Sequence, residues 1–141
     1  MIITALNVKG LTNPKKVKKI KKWKQNMENS DILVLTKVKV SGVDLQERLQ
    51  AIDDDLIWIT STHEQGSGGV AMGIHSKWGP NIQGIILDQE NKWVACVMEE
   101  MSIIAIYTTG PQGQRAAIWE SFRLQFEESV ILVGDFNMVE C

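Results

Sequence analysis

Ile2-Ile3-Thr4-Ala5-Leu6-Asn7-Val8, then Asn13-Pro14-Lys15-Lys16-Val17-Lys18-Lys19-Ile20-Lys21-Lys22-Trp23-Lys24-Gln25-Asn26-Met27, then Asp31-Ile32-Leu33-Val34-Leu35: these three segments decide the fold class. The first is a short apolar run that reads as a strand, broken by Gly10 and Asn13-Pro14. Asn13 is placed to cap the helix that follows, from about Lys15 to Met27. Pro14 is placed to start it, because the first helical turn leaves its amides unbonded in any case. Val17, Ile20, Trp23 and Met27 recur at intervals of three, three and four, so one apolar stripe faces inward while lysines fill the remaining surface. Asp31 then introduces a second buried strand, whose carboxyl end delivers Thr36 and Lys37. Strand, crossover helix and strand make a βαβ unit.

Downstream, Val43 to Ile52 predicts a short helix with Asp44 near its start, and Leu56 to Thr60 the next strand. From Gly69 the pattern changes. Val70–Ile74, Ile82–Leu87, Trp93–Val97 and Ile103–Tyr107 are short strands separated by turn-rich segments, which predicts an antiparallel meander. Gln114 to Phe126 reads as a helix with Ala117, Trp119, Phe122 and Phe126 for packing, and Val130 to Val133 as the last strand. No repeat, low-complexity segment or linker divides the chain, so residues 1–141 are expected to form one α/β unit.

Composition narrows the function classes. At 141 residues, 44% hydrophobic and 23% charged, the chain is long enough to bury a core. Its two cysteines, Cys96 within an apolar run and Cys141 at the end, give neither a disulfide framework nor metal-ligand spacing. A reducing compartment is expected, with Cys96 in the core. No run approaches the roughly 20 apolar residues of a membrane span, and the chain opens on a strand rather than a signal peptide. We therefore expect a soluble intracellular protein, cytoplasmic or nuclear, with no membrane partner.

The net charge is −2, but it is unevenly placed. Residues 1–40 carry ten lysines against Glu28 and Asp31, or +8, and the remainder carries five basic and fifteen acidic residues, or −10. The lysine helix offers Lys15, Lys18 and Lys22 as contacts to a DNA or RNA backbone, although a solvated helix face has the same appearance. The acidic remainder argues against avid non-specific binding, and the polarity also suits head-to-tail self-association.

The last strand ends in Gly134-Asp135-Phe136-Asn137. The glycine lets the backbone turn where an α/β sheet usually holds its ligand, and Asp135 and Asn137, two residues apart, share one face. Such a pair can hold an attacking water or help ligate Mg2+. Gly-Asp and Asn are also common strand terminators.

Asn7-Val8-Lys9-Gly10-Leu11-Thr12-Asn13-Pro14-Lys15-Lys16, Asp31-Ile32-Leu33-Val34-Leu35, Gly68-Gly69-Val70-Ala71, Ile106-Tyr107 and Gly134-Asp135-Phe136-Asn137-Met138-Val139-Glu140 occur in that order. This ordered set resembles the endonuclease/exonuclease/phosphatase superfamily, and more narrowly the apurinic-endonuclease-like domain of plant LINE-type (non-LTR) retrotransposon polyproteins. The resemblance implies an α/β sandwich of mixed β-sheet flanked by helices, and metal-assisted phosphodiester hydrolysis. It assigns Asn7 to positioning metal or phosphate, Tyr107 to a phosphate oxygen, Asp135 to the attacking water, and Asn137 to supporting metal and phosphate.

The departures from that pattern bear on activity. The family's second strand delivers a Gln-Glu pair whose Glu is the principal metal ligand, whereas this chain reads Leu35-Thr36-Lys37-Val38-Lys39. Lys37 takes the place of the Glu. A protonated lysine has no lone pair to offer and repels a divalent cation, so no resident metal is expected, and Mg2+ or Mn2+ only if the chain is active. Lys37 is expected to pair with Asp135 instead. Leu6 replaces a frequent Trp, and Tyr107-Thr108-Thr109 departs from Tyr-Ala-Pro or Tyr-Gly-Pro. By the same resemblance, 1–141 is the N-terminal portion of the domain, lacking the later segments and their His. His63 and His75 do not replace that His by position and read as turn or surface residues. A truncated, degenerate and catalytically inactive domain is expected, with an uncovered apolar sheet face that binds a second copy or another protein as a regulator or antagonist. The alternatives are a Mg2+-dependent endonuclease completed by dimerisation or a partner, and a nucleic-acid binder using the lysine helix.

Overall fold

The computed structural model describes residues 1–26, 30–62, 69–88, 93–99, 101–107 and 130–135, with Tyr107 and Asp135 described through their backbone. The helix expected over 114–126, together with His63, Asn137 and Cys141, lies outside the described residues. Eight strands form two sheets there. β1 (Ile3–Asn7), β2 (Ile32–Thr36), β3 (Leu56–Ser61) and β4 (Val70–His75) are ordered β1-β2-β4-β3. β5 (Ile82–Leu87), β6 (Trp93–Met98), β7 (Ser102–Tyr107) and β8 (Val130–Asp135) follow in sequence order. The expected α/β sandwich of mixed sheets with flanking helices is the observed architecture.

The βαβ unit forms as the pattern dictates. β1 and β2 pair in parallel, from Ile3 opposite Ile32 to Asn7 opposite Thr36. Between them runs α1 (Pro14–Asn26). Asn13 caps it: its side-chain oxygen accepts from the Lys15 amide at 2.9 Å and its carbonyl from the amides of Lys16 and Val17. Val17 and Ile20 are buried, and Trp23 packs beside them. The second helix, α2 (Gly42–Ile52), adds Leu45, Leu49 and Ile52 to the same cluster, against Leu33 and Leu35 of β2. Ile32 and Val34 point the other way, into a second cluster with Val94, Cys96, Ile103 and Ala105 of the facing sheet. β2 is apolar throughout because both of its faces are covered, one by helices and one by a sheet. Cys96 is core, as expected, and burial pushes its thiol up to about 11, which leaves it inert as a nucleophile.

The expected meander is corrected. β4 belongs to the first sheet, antiparallel to both β2 and β3, while β5, β6 and β7 form an antiparallel set in the second. Between β4 and β5 a 3₁₀ turn, Ser76–Asn81, carries the chain from one sheet to the other. Its Pro80 has no amide to continue a ladder, and the His75 side chain accepts from the Lys77 amide at 3.1 Å. His75 is therefore the turn residue expected of it. β8 returns beside β7 in parallel, from Ser102 opposite Val130 to Tyr107 opposite Asp135. This pairing was not legible from the strand alone, because an apolar run fits either direction.

The registers orient the sandwich. β4 ends at His75, whose amide donates to the Asp31 carbonyl just before β2 begins. The 3₁₀ turn then delivers Ile82 opposite Met98, and the Met98 amide donates to the Met101 carbonyl, one residue before β7 begins. β2 and β7 thus start at the same end, and their parallel partners β1 and β8 start with them. All four carboxyl ends lie together at the opposite end. β1 and β8 face each other across the sandwich, each at the margin of its sheet.

Candidate functional site at the strand ends

At the carboxyl end, β1 delivers Asn7 and β2 delivers Thr36 and Lys37, in register. The two strands continue side by side past their ends: the Val8 amide donates to the Thr36 carbonyl at 3.0 Å, Gly10 to Lys37 at 2.7 Å and Leu11 to Val38 at 2.8 Å. Asn7 is exposed, and its side-chain oxygen accepts from the Lys9 amide at 3.2 Å. On the facing sheet, β7 and β8 bring Tyr107 and Asp135 to paired backbone positions. Gly134 makes that approach possible. Its φ is +143°, and a Cβ there would collide with the Ile106 carbonyl oxygen, so no larger residue allows β8 to run this close to β7. Asn7, Lys37, Tyr107 and Asp135, expected together from their order in the sequence, are thus placed by the strands at one end of the sandwich. Asn137 lies outside the described residues.

Three lysines at this end, Lys9, Lys37 and Lys39, hold left-handed backbone at φ 52°, 57° and 53°. They are the described non-glycine residues with positive φ, and each such conformation costs about 1 kcal/mol or more. The continued β1–β2 ladder imposes it. Lys37 is half-buried. A divalent ion at this end needs several oxygen ligands. Among the described side chains at this end, β2 supplies the Lys37 ammonium, and the Asn7 oxygen already receives the Lys9 amide.

Asp53, Asp54 and Asp55 bring their carboxylates within 4.8 Å of one another, at the opposite end of the sandwich, just before β3. Asp53 is already engaged by Lys24 at 2.9 Å and by the Asp55 amide at 2.8 Å. Burial opposes its ionisation, but Lys24 and that amide outweigh burial and lower its pKa.

The strongest polar cluster was missed by sequence reading. Asp31, whose side chain is 8% exposed, takes Lys77 Nζ at 2.7 Å, Trp78 Nε1 at 2.9 Å and the Ile2 amide at 2.6 Å. Lys77 first, then Trp78 and the Ile2 amide, hold its carboxyl far below the usual carboxylate range against the cost of burial. These partners lie 46, 47 and 29 residues away in the chain, so no local motif announces them. Asp31 latches the chain start, the first sheet and the 3₁₀ turn at the end remote from Asn7.

The lysine helix divides by orientation. Lys16 reaches back to the Val8 carbonyl at 2.8 Å and Lys24 pairs with Asp53, whereas Lys15, Lys18, Lys19, Lys21 and Lys22 are exposed. A groove between the helices is lined by Pro14, Val17, Lys18, Glu47, Arg48 and Ala51. Among the described residues, large apolar side chains are exposed beside the β1 and β8 edges (Ile2, Val130, Ile131), beside β3 and β5 (Ile57, Ile85, Leu87) and at the start of α2 (Val43). The outer face of β6 and β7, with Trp93, Ala95, Ile104 and Ile106, is buried. No described helix is long and apolar enough to cross a membrane.

No family model matches the sequence, and no curated protein matches it. Among solved structures the chain is similar to the APE2 catalytic domain of Xenopus laevis, at a TM-score of 0.69 and 17% identity over 98% of this chain and 59% of that one. It is similar to the 3′ phosphatase NExo from Neisseria bound to product DNA hairpin, at 0.64 and 18% over 96% and 57%. It is also similar to the AP endonuclease LMAP from Leishmania major, at 0.70 and 15% over 97% and 55%. The chain spans between 55% and 59% of the length of these structures. Its two mixed sheets, flanking helices and clustered strand ends are those of the endonuclease/exonuclease/phosphatase fold, and the chain has that fold.

Proposed function

We propose that this chain is a catalytically silent derivative of a LINE-type retroelement endonuclease domain, of the plant type its motifs resemble, and that it acts by association. The observation that carries the reading is Lys37 at the end of β2, in the ladder beside Asn7, where the resembled family has its metal-binding carboxylate. An ammonium there repels the cation that phosphodiester hydrolysis in this fold needs. Association is supported by β1 and β8, marginal strands of their sheets with exposed Ile2, Val130 and Ile131 alongside. A second copy docked on these edges would cover them and form a symmetric dimer. A protein partner on the same edges would make the chain a regulator or antagonist.

The second reading is a Mg2+- or Mn2+-dependent endonuclease whose missing ligands come from a partner subunit. It is favoured by the joint placement of Asn7, Tyr107 and Asp135 at one end. Incubating the protein with supercoiled plasmid and an abasic duplex in either metal separates the two. Under the first reading the wild type cleaves neither, and it elutes as a dimer at micromolar concentration with its mass read by light scattering. Cleavage that disappears in Asp135→Ala establishes the second reading, and a monomer that binds no protein removes the association. Cleavage gained by Lys37→Glu alone would identify the charge reversal as what silences the site.

A further inference from the structure

We infer that the solvent face of α1 is a docking surface for the phosphate backbone of duplex nucleic acid, separate from the strand ends and independent of any chemistry there. On a helix of 3.6 residues per turn, Val17, Ile20 and Trp23 occupy one side, and Lys16 and Lys24 fall within the same arc. Those two lysines are used internally, one by the Val8 and Lys9 carbonyls and the other by Asp53. The remaining five, Lys15, Lys18, Lys19, Lys21 and Lys22, fall on the opposite side as one uninterrupted cationic face about 10 Å long from first lysine to last. All five are exposed, and no ion pair joins them to a carboxylate among the described residues.

Such a face is costly to the helix itself. Lysines at i,i+3 and i,i+4 repel, with no acidic residue in the first turn to offset them. A multivalent anion relieves that repulsion, and ammonium groups suit phosphates as point charges. The face has no aromatic platform, since Trp23 packs into the core, so bases cannot stack on it and recognition rests on the backbone alone. The adjoining groove sets Lys18 and Arg48 against a single Glu47, so it extends the positive charge of this face.

The test uses a fluorescein-labelled 20-base-pair duplex of mixed sequence and follows anisotropy from 50 to 200 mM KCl. With three to five phosphates neutralised, affinity falls roughly 40- to 500-fold over that range. Lys18→Gln/Lys22→Gln lowers the slope of log affinity against log salt by about 2. Lys9→Gln/Lys39→Gln removes the same charge at the strand ends and leaves the slope in place. Far-UV circular dichroism confirms that both variants keep their helices. Absence of binding at 50 mM, salt-independent binding, or an equal loss in the strand-end pair overturns the inference. So does poly-L-glutamate that displaces the duplex at matched charge concentration, which would assign the face to an acidic polypeptide.

Discussion

The two ends of the sandwich are built on opposite terms. At the end where β1 and β2 begin, a buried carboxylate is met by three donors from distant parts of the chain, and every contact favours the folded state. At the other end, three lysines are held in left-handed backbone, and one glycine admits a strand that no other residue would. One end stabilises the fold, and the other draws on that stability to keep a particular arrangement of strand ends. Strain of this kind concentrates where a fold has had a chemical task.

The largest expected break in this contrast is at Gly134. Gly134→Ala places a methyl group on the Ile106 carbonyl oxygen and costs on the order of 3 kcal/mol or more, with loss of the β7–β8 pairing. Urea denaturation measures it, and a change below about 1 kcal/mol would show that β8 slides past β7 freely.

Asp31→Ala comes next. It leaves the Trp78 indole and the Ile2 amide without their acceptor and should cost about 2–4 kcal/mol, while Asp53→Ala, which removes the acceptor of only Lys24 and the Asp55 amide, costs less. Equal losses would contradict the assignment of the latch to Asp31.

Acid sharpens the same point. The Asp31 pKa is lowered by folding, so its contribution is fully present above the unfolded value of about 3.9 and is lost as pH falls below it. Stability of the wild type should therefore drop between about pH 4 and pH 2, and that part of the drop should vanish in Asp31→Asn. An identical acid profile for the variant would place the acid-sensitive group elsewhere.

The smallest effect is expected from Lys39→Gly. It releases a left-handed side chain but loosens the unfolded chain, and should gain about 0.5 kcal/mol, whereas Gly134→Ala at the same end loses several-fold more.

The parts of this molecule that were legible in the sequence are those set by neighbours along the chain. Periodicity located α1, and Asn13 and Pro14 fixed where it starts. The continuous apolar run of β2 announced that both its faces are covered. The strand-end cluster was legible through the order of its motifs, not through any single one of them. What was not legible depends on distant pairing. Nothing in Val130–Val133 declares that it runs parallel to β7, and nothing in Ser76–Asn81 declares that it crosses between sheets. Asp31 reads as a strand-leading polar residue until Lys77 and Trp78 are brought to it by that crossing.

The division of the chain between its sheets has a consequence during synthesis. Among the described residues the strands of the first sheet come from 3–75 and those of the second from 82–135, so the first set is translated before the second begins. Its inner face, with Ile32, Val34, Met72 and Ile74, has no cover until β6 and β7 arrive. Translating the 32 residues from 76 to 107 takes about 2 to 6 s at ordinary rates. For that interval the nascent protein presents a bare hydrophobic sheet, which makes it a client for chaperones that bind apolar strands and a hazard to neighbouring copies on the same message.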